Sequence, residues 1–210
     1  MTIEIYRVFP NDSNQGRTSG PPTFSTSQVP TRVNSPSDVA LDDRDSAVAG
    51  QLTFSTSVLS ATFTALNSVQ PGGIHPFPLQ TTGGNGAITG QEVQFNITFT
   101  TPFNLPADHY FFVPQVTLAN GAQFYWLSAS RPITGVGTTP FLPDLQAWTR
   151  DANLDPDWLR VGTDIVGGTT PPTFNAAFSL NGTSVPEPSS IALIIGGLAF
   201  VGFRNYRMSR

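Results

Sequence analysis

The residues EVQFNITFT, 92–100, constrain the fold more than any other part of the sequence. The apolar side chains of Val93, Phe95, Ile97 and Phe99 alternate with polar ones. A period of two residues places the apolar side chains on one face of a β-strand and the polar side chains on the other. This pattern predicts a strand of an antiparallel sheet with one buried face and one wet face.

Similar runs recur along the chain, at MTIEIYRVFP near the start and at TFNAAFSLNG after residue 172. In QLTFSTSVLSATFTAL, 51–66, the parity of the apolar positions changes after Val58, which predicts a bulge or a bend between two strands. HYFFVPQVTL predicts a strand that Pro114 confines to a sheet edge or a bulge. The Asn120-Gly121 dipeptide that follows predicts a hairpin to QFYWLSAS.

The composition agrees with a fold of short strands and many turns. The 210 residues include 19 Gly and 19 Pro, and only 11% are charged, against about 25% in a typical soluble domain. With no repeat of fixed period, we expect residues 1–184 to form one antiparallel β-sandwich that is jelly-roll-like. Leu145 and Trp148, which follow Pro143 and Asp144, predict one or two short helical turns.

Several function classes are excluded by residues that the sequence lacks. The chain has no cysteine and no lysine, and its net charge is -4. Thiolate metal sites, Schiff-base chemistry and a P-loop lysine are therefore excluded, and binding of nucleic acid is disfavoured. The two histidines, His75 and His109, are too few for a three-histidine zinc site. We expect no catalysis, no cofactor and no metal, with a hydrolase built on paired Asp and Glu as a lesser alternative.

Two acidic clusters contain oxygen ligands of the kind that bind calcium. The residues Asp42–Asp45 carry oxygen ligands, but a solvated turn partly neutralised by Arg44 is the simpler prediction. The residues 151–157, DANLDPD, imitate the start of a calcium loop. Pro156 stands where that loop needs glycine and Gly162 where it needs glutamate, so we predict a capped turn instead.

Four aromatic residues could form a sugar-stacking platform, namely Trp126, Trp148, Trp158 and Tyr110. Aromatic residues on strands more often belong to the core. Carbohydrate binding is therefore kept as the alternative function, and it requires these rings to be exposed together on one surface.

The N-terminus lacks the pattern of a secretory signal, which combines positive charge with an apolar run of roughly 7–15 residues. The residues Thr2 to Phe9 predict a strand instead. We therefore expect the coding frame to begin further upstream.

The chain ends VPEPSSIALIIGGLAFVGFRNYRMSR, and no charge occurs from Pro188 to Phe203. A helix over this run is about 24 Å long, a little short for a hydrocarbon core of about 30 Å but adequate if flanking residues snorkel. Arg204, Arg207 and Arg210 follow it and orient the C-terminus towards the cytoplasm. A buried helix of a soluble core is the alternative.

Three features in this order resemble the PEP-CTERM sorting signal of exported proteins in Gram-negative bacteria that make exopolysaccharide. They are the VPEP sequence at 185–188, the apolar segment containing Gly196-Gly197-Leu198, and the Arg-rich tail 204–210. The resemblance covers residues 185–210 only.

The resemblance implies a partner and a route for the protein. Pro186, Glu187 and Pro188 would be recognised by an exosortase-type membrane enzyme, which cleaves nearby. A transmembrane helix at about 189–203 would hold the chain in the inner membrane during transit, as a single pass with the body outside. The body would then reach the outer surface or the extracellular matrix, where exopolysaccharide is a further possible partner.

Overall fold

The computed structural model describes residues 1–9, 11–12, 35–37, 39–69, 81–130, 146–150, 158–169 and 174–183. Regular structure in these residues is mainly β, and every strand pair is antiparallel, which confirms the predicted all-β class. The described strands are β1 (Thr2–Arg7), β2 (Asp42–Asp45), β3 (Leu52–Ala65), β4 (Ile88–Phe99), β5 (Tyr110–Gln115), β6 (Ser128–Ser130), β7 (Trp148–Arg150), β8 (Trp158–Arg160) and β9 (Phe174–Ala176). A 3₁₀ turn spans Ala119–Gly121, and a π-helix spans Val161–Val166.

The chain divides into two compact units, Met1–Ala177 and Phe178–Arg210. All the described strands belong to the first unit. In the second unit, the described residues 178–183 are exposed and carry no regular structure.

The core of the first unit includes the cluster of Leu159 and Ile165 and the surroundings of β1, which is the middle strand of a three-stranded sheet of order β2-β1-β5. Its side chains Ile3, Ile5 and Tyr6 are buried. Because successive residues of a strand point to opposite faces, both faces of this sheet must be covered. The predicted strand after Met1 is thus confirmed, and Pro114 lies on the edge strand β5, as predicted.

Different parts of the chain cover the two faces of this sheet. On one face, Tyr6 makes an edge-to-face contact with Trp158, with ring centroids 5.5 Å apart. On the same face, Phe111 contacts Trp148 at 6.5 Å. On the other face, the side chain of Arg44 reaches the segment after β4. The sheet therefore lies between the β7–β8 pair and the end of β4.

The longest pair joins β3 and β4 into a two-stranded ribbon. On one face, Phe54 pairs with Ile97 and Val58 with Val93. The register shifts between Val58 and Ser60 and again between Ser60 and Phe63. The predicted phase change is confirmed as two bulges within one continuous strand, rather than as a junction of two strands.

The bulges change which face receives the apolar residues of β3. Phe63 pairs with Gly90, and Ala65 pairs with Ile88. Residues 88 and 90 have the opposite parity to residue 93 along β4, so Phe63 points to the face opposite Val58. On the face that carries Val93 and Phe95, Phe54 is 44% exposed and Val58 57%, so the apolar face predicted to be buried is only partly covered by the described residues. On the opposite face, Phe63 is 37% exposed.

The predicted hairpin at Asn120-Gly121 is wrong. The strand before it, β5, pairs with β1, and the strand after it, β6, pairs with β9. The dipeptide does form a turn, with Gly121 at a φ of 68°, but that turn is a 3₁₀ turn. The local sequence predicts the turn, whereas the strand partners depend on tertiary packing.

Two further predictions are corrected. Trp148, predicted in a helical turn, lies in strand β7, which pairs with β8, whereas Leu145 lies outside the described residues. The sequence Asp42–Asp45, predicted as a loop, forms strand β2 against β1. In both cases pairing with a distant strand overrides the local signal.

Among the described residues, no helix is long and apolar enough to cross a bilayer. The predicted transmembrane helix at about 189–203 lies outside them.

Candidate functional site

The residues predicted to carry sorting lie outside the described part of the chain. They are Pro186, Glu187, Pro188, Arg204, Arg207 and Arg210. The described chain leads towards them through residues 177–183, all of which are exposed.

Within the acidic cluster of β2, Asp42 forms an ion pair with Arg44. The two oxygens of Asp42 accept hydrogen bonds from Nη1 and Nη2 of Arg44, at 2.6 and 2.9 Å. These hydrogen bonds lower the pKa of Asp42. No group of three or more metal-ligating side chains occurs among the described residues, whereas the candidate loop 151–157 lies outside them.

Arg44 also connects β2 to the segment after β4. Its Nε donates to the carbonyl oxygen of Thr101 at 2.7 Å, and its Nη2 donates to that of Pro102 at 2.9 Å. The guanidinium lies 4.4 Å from the ring centroid of Phe103. These contacts neutralise and satisfy a buried cation, which gives Arg44 a structural role.

The buried carboxylate of Asp164 is likewise compensated by an arginine. Asp164, in the π-helix, accepts hydrogen bonds from the backbone N–H of Arg160 at 2.8 Å and from its Nη2 at 2.7 Å. π-Helical turns often occur at functional sites. Here the carboxylate is neutralised by the arginine four residues before it, so the geometry favours a structural pair over a catalytic acid.

Tyr6 lies at the centre of a small polar cluster under the β7–β8 pair. Its hydroxyl donates to Glu4 Oε2 at 3.0 Å, and Gln115 Nε2 donates to the same oxygen at 2.6 Å. Burial, together with the negative charge of Glu4, raises the pKa of Tyr6 to about 12. The phenol therefore stays protonated at neutral pH and acts as a hydrogen-bond donor in the core.

The four aromatic residues proposed for sugar stacking do not share one surface. Trp158 is 3% exposed, and its Nε1 donates to the carbonyl oxygen of Ser37 at 3.0 Å. Trp148 packs on Phe111, whereas Tyr110, the preceding residue on β5, points to the opposite face. The remaining candidate is Trp126.

Trp126 belongs to a row of aromatic rings that continues onto one face of the β3–β4 ribbon. Its ring contacts Phe124 at 5.5 Å, Phe124 contacts Phe95 at 5.7 Å, and Phe95 contacts Phe54 at 6.3 Å. We call Phe54, Phe95, Phe124 and Trp126 the aromatic row. Its tertiary assembly was not predicted, although the alternation of Phe54 and Phe95 in the sequence places both rings on one ribbon face.

Of the two histidines, only His109 lies among the described residues. His109 is exposed, and its backbone N–H donates to Asp108 Oδ1 at 2.8 Å. His75 lies outside the described residues.

Comparisons of the chain with protein-family models, curated proteins and solved structures gave no match.

Proposed function

We propose that this chain is an exported cell-envelope or extracellular-matrix protein, without catalysis of its own, that is sorted through its C-terminal residues 185–210. The observation that carries the proposal is the order of three elements, namely Pro186-Glu187-Pro188, an uncharged apolar run, and an Arg-rich end. Each element has a physical role in presenting a cleavage site at a membrane.

The two prolines keep the recognition segment extended. Proline lacks a backbone N–H and disfavours the α conformation in the residue before it, so helix cannot propagate through Pro186 and Pro188. The exposed residues 177–183 lead into this segment and support its access to an enzyme. The partner proposed is an exosortase-type membrane enzyme.

The apolar run anchors the chain in the membrane until the chain is processed. A helix at about 189–203 would cross the inner membrane once, with Arg204, Arg207 and Arg210 on the cytoplasmic side and the body outside. The body, 1–184, is proposed to be a jelly-roll-like β-sandwich. After processing it would reside at the outer surface or in the matrix, with no cofactor, metal or nucleic-acid partner.

The test is the mass of the mature protein recovered from the surface of its host. We expect a chain that ends near Pro186 to Ser189 and lacks the apolar run. The E187A variant and a strain lacking the sorting enzyme should both retain the tail. Recovery of mature surface protein that ends at Arg210 would favour a permanent anchor and contradict the proposal.

The second candidate function is binding of a neutral glycan in the matrix. The aromatic row favours it, because exposed ring faces stack on the C–H faces of sugars and Phe54 is 44% exposed. The ribbon that carries Phe54 and Phe95 contains only one charged residue, Glu92. An uncharged polymer would meet little electrostatic penalty there.

Substitution of one phenylalanine on each face of the ribbon tests this candidate. F54A should weaken retention of the chain on the host polysaccharide about fivefold, corresponding to about 1 kcal/mol of stacking. F63A removes a similarly exposed ring from the opposite face and is the matched control. Equal effects of the two variants, or no retention of the wild type, would remove the glycan hypothesis.

A further inference from the structure

The outer edge of β3 carries residues suited to pairing with another strand. The ribbon has only two strands, so no other described strand pairs with β3 on the side away from β4. The segment Leu52–Val58 comes before the first bulge and pairs in regular register with residues 93–99. Within it, the side chains of residues 53–58 are all exposed.

The segment lacks the devices that normally protect a sheet edge. Natural edges carry charges, prolines or bulges. LTFSTSV, 52–58, contains no charged residue, no proline and no glycine. Four of its seven residues, Thr53, Phe54, Thr56 and Val58, are of types enriched in strands, and uncharged segments of this kind are prone to associate with copies of themselves.

The distribution of charge makes the outer edge of β3 a better place for a second copy of this chain to bind than other parts of the surface. The net charge of -4 makes two copies repel each other in general. All of β3 is uncharged, and β4 carries one charge, at Glu92. Contact between the outer edges of two β3 strands therefore brings no like charges together, whereas contact between two β4 edges would bring the Glu92 side chains closer.

The area of this segment distinguishes two ways in which two copies could associate, by stacking of their ribbon faces or by pairing of their β3 edges. Seven residues extend about 23 Å, and two strands are about 10 Å wide, so the face of this segment covers about 230 Å². Two stacked faces would bury about 460 Å², well below the 1,200 Å² or so of a stable interface. Edge pairing adds about six backbone hydrogen bonds, which supply affinity that the area alone does not.

We propose that the chain forms a two-fold symmetric dimer in which Leu52–Val58 of two copies pair as antiparallel edge strands. The two ribbons then form one four-stranded sheet of order β4-β3-β3-β4. A two-fold axis perpendicular to the sheet keeps the polar faces, which carry Ser55 and Ser57, on the same side. This proposal is independent of how the chain is sorted.

The test is sedimentation of the full-length chain over a range of concentrations. The wild type should dimerise reversibly. S55K/S57K places like charges across the new strand pair and should weaken the dimer at least about tenfold. The control Q94K/N96K adds the same charges at the directly paired positions of β4, one strand away from the interface, and should weaken it less than about threefold.

A charge swap keeps the test falsifiable if a variant folds poorly. A mixture of S55K/S57K with S55E/S57E should restore association, because opposite charges then face each other across the strand pair. The proposal is overturned if the wild type is monomeric up to about 100 µM. It is equally overturned if S55K/S57K and Q94K/N96K weaken association to the same extent, or if the mixture does not associate.

Discussion

Replacing Arg44 with alanine is expected to lower the free energy of unfolding by about 2–4 kcal/mol. The side chain is 10% exposed and holds Asp42, two backbone carbonyls beyond β4 and the face of Phe103. Its removal leaves Asp42 without its cation and separates edge strand β2 from the end of β4. Urea unfolding followed by circular dichroism measures the change.

One substitution separates charge from geometry at Arg44, and a second, at an exposed arginine, is the control. R44K keeps the positive charge but loses the planar fork, so it should restore only part of the lost stability. R7A removes an arginine whose ion pair with Asp12 is exposed, and it should shift the urea midpoint much less than R44A. Equal effects of R44A and R7A would contradict the role given to Arg44.

The strands with strong period-two patterns could be predicted from the sequence. For β1, β4 and the bulged β3, each residue's neighbours along the chain already specify which side is apolar. The edge position of Pro114 also followed from local chemistry, because proline cannot donate to a central ladder. These features depend on short-range information.

The elements that the sequence analysis missed depend on distant partners. The sequence Asp42–Asp45 has no apolar alternation and becomes a strand because it pairs with β1 and because Arg44 is buried there. Trp148 lies in a strand because β7 pairs with β8 and packs its ring on Phe111. Neither contact can be inferred from the residues within one turn of these positions.

The same distinction applies to the candidate sites. The sorting motif consists of consecutive residues, so Pro186-Glu187-Pro188 could be proposed from sequence alone. The aromatic row joins two strands to a segment that begins more than twenty residues beyond β4. Only the tertiary structure shows that Phe54 and Trp126 belong to one row while Trp158 belongs to the core.

Replacing Gly167 with alanine is expected to destabilise the protein by about 3 kcal/mol or more. Gly167 follows the π-helix with φ 72° and ψ -153°, a conformation that is essentially restricted to glycine. A Cβ atom there would lie 2.4 Å from Thr81 Cγ2 and 2.5 Å from Thr81 Cβ. The backbone nitrogen of Thr82 donates a hydrogen bond to the carbonyl oxygen of Ile165, with 2.7 Å between the two atoms. Relief of the clash would disturb this hydrogen bond.

Four variants divide this loss into backbone strain and steric overlap. Gly168 also has a positive φ, 103°, but open space around its Cβ position, so G168A should cost only the strain, about 1–2 kcal/mol. G90A, in β4, has neither problem and should leave stability nearly unchanged. The double variant G167A/T81G removes the overlap but keeps the strain. The loss in free energy of unfolding from T81G to G167A/T81G should therefore equal the loss that G168A causes in the wild type. If G167A and G168A unfold at the same urea concentration, Thr81 does not pack against this turn and the connection between the π-helix and residues 81–83 is weaker than its geometry indicates.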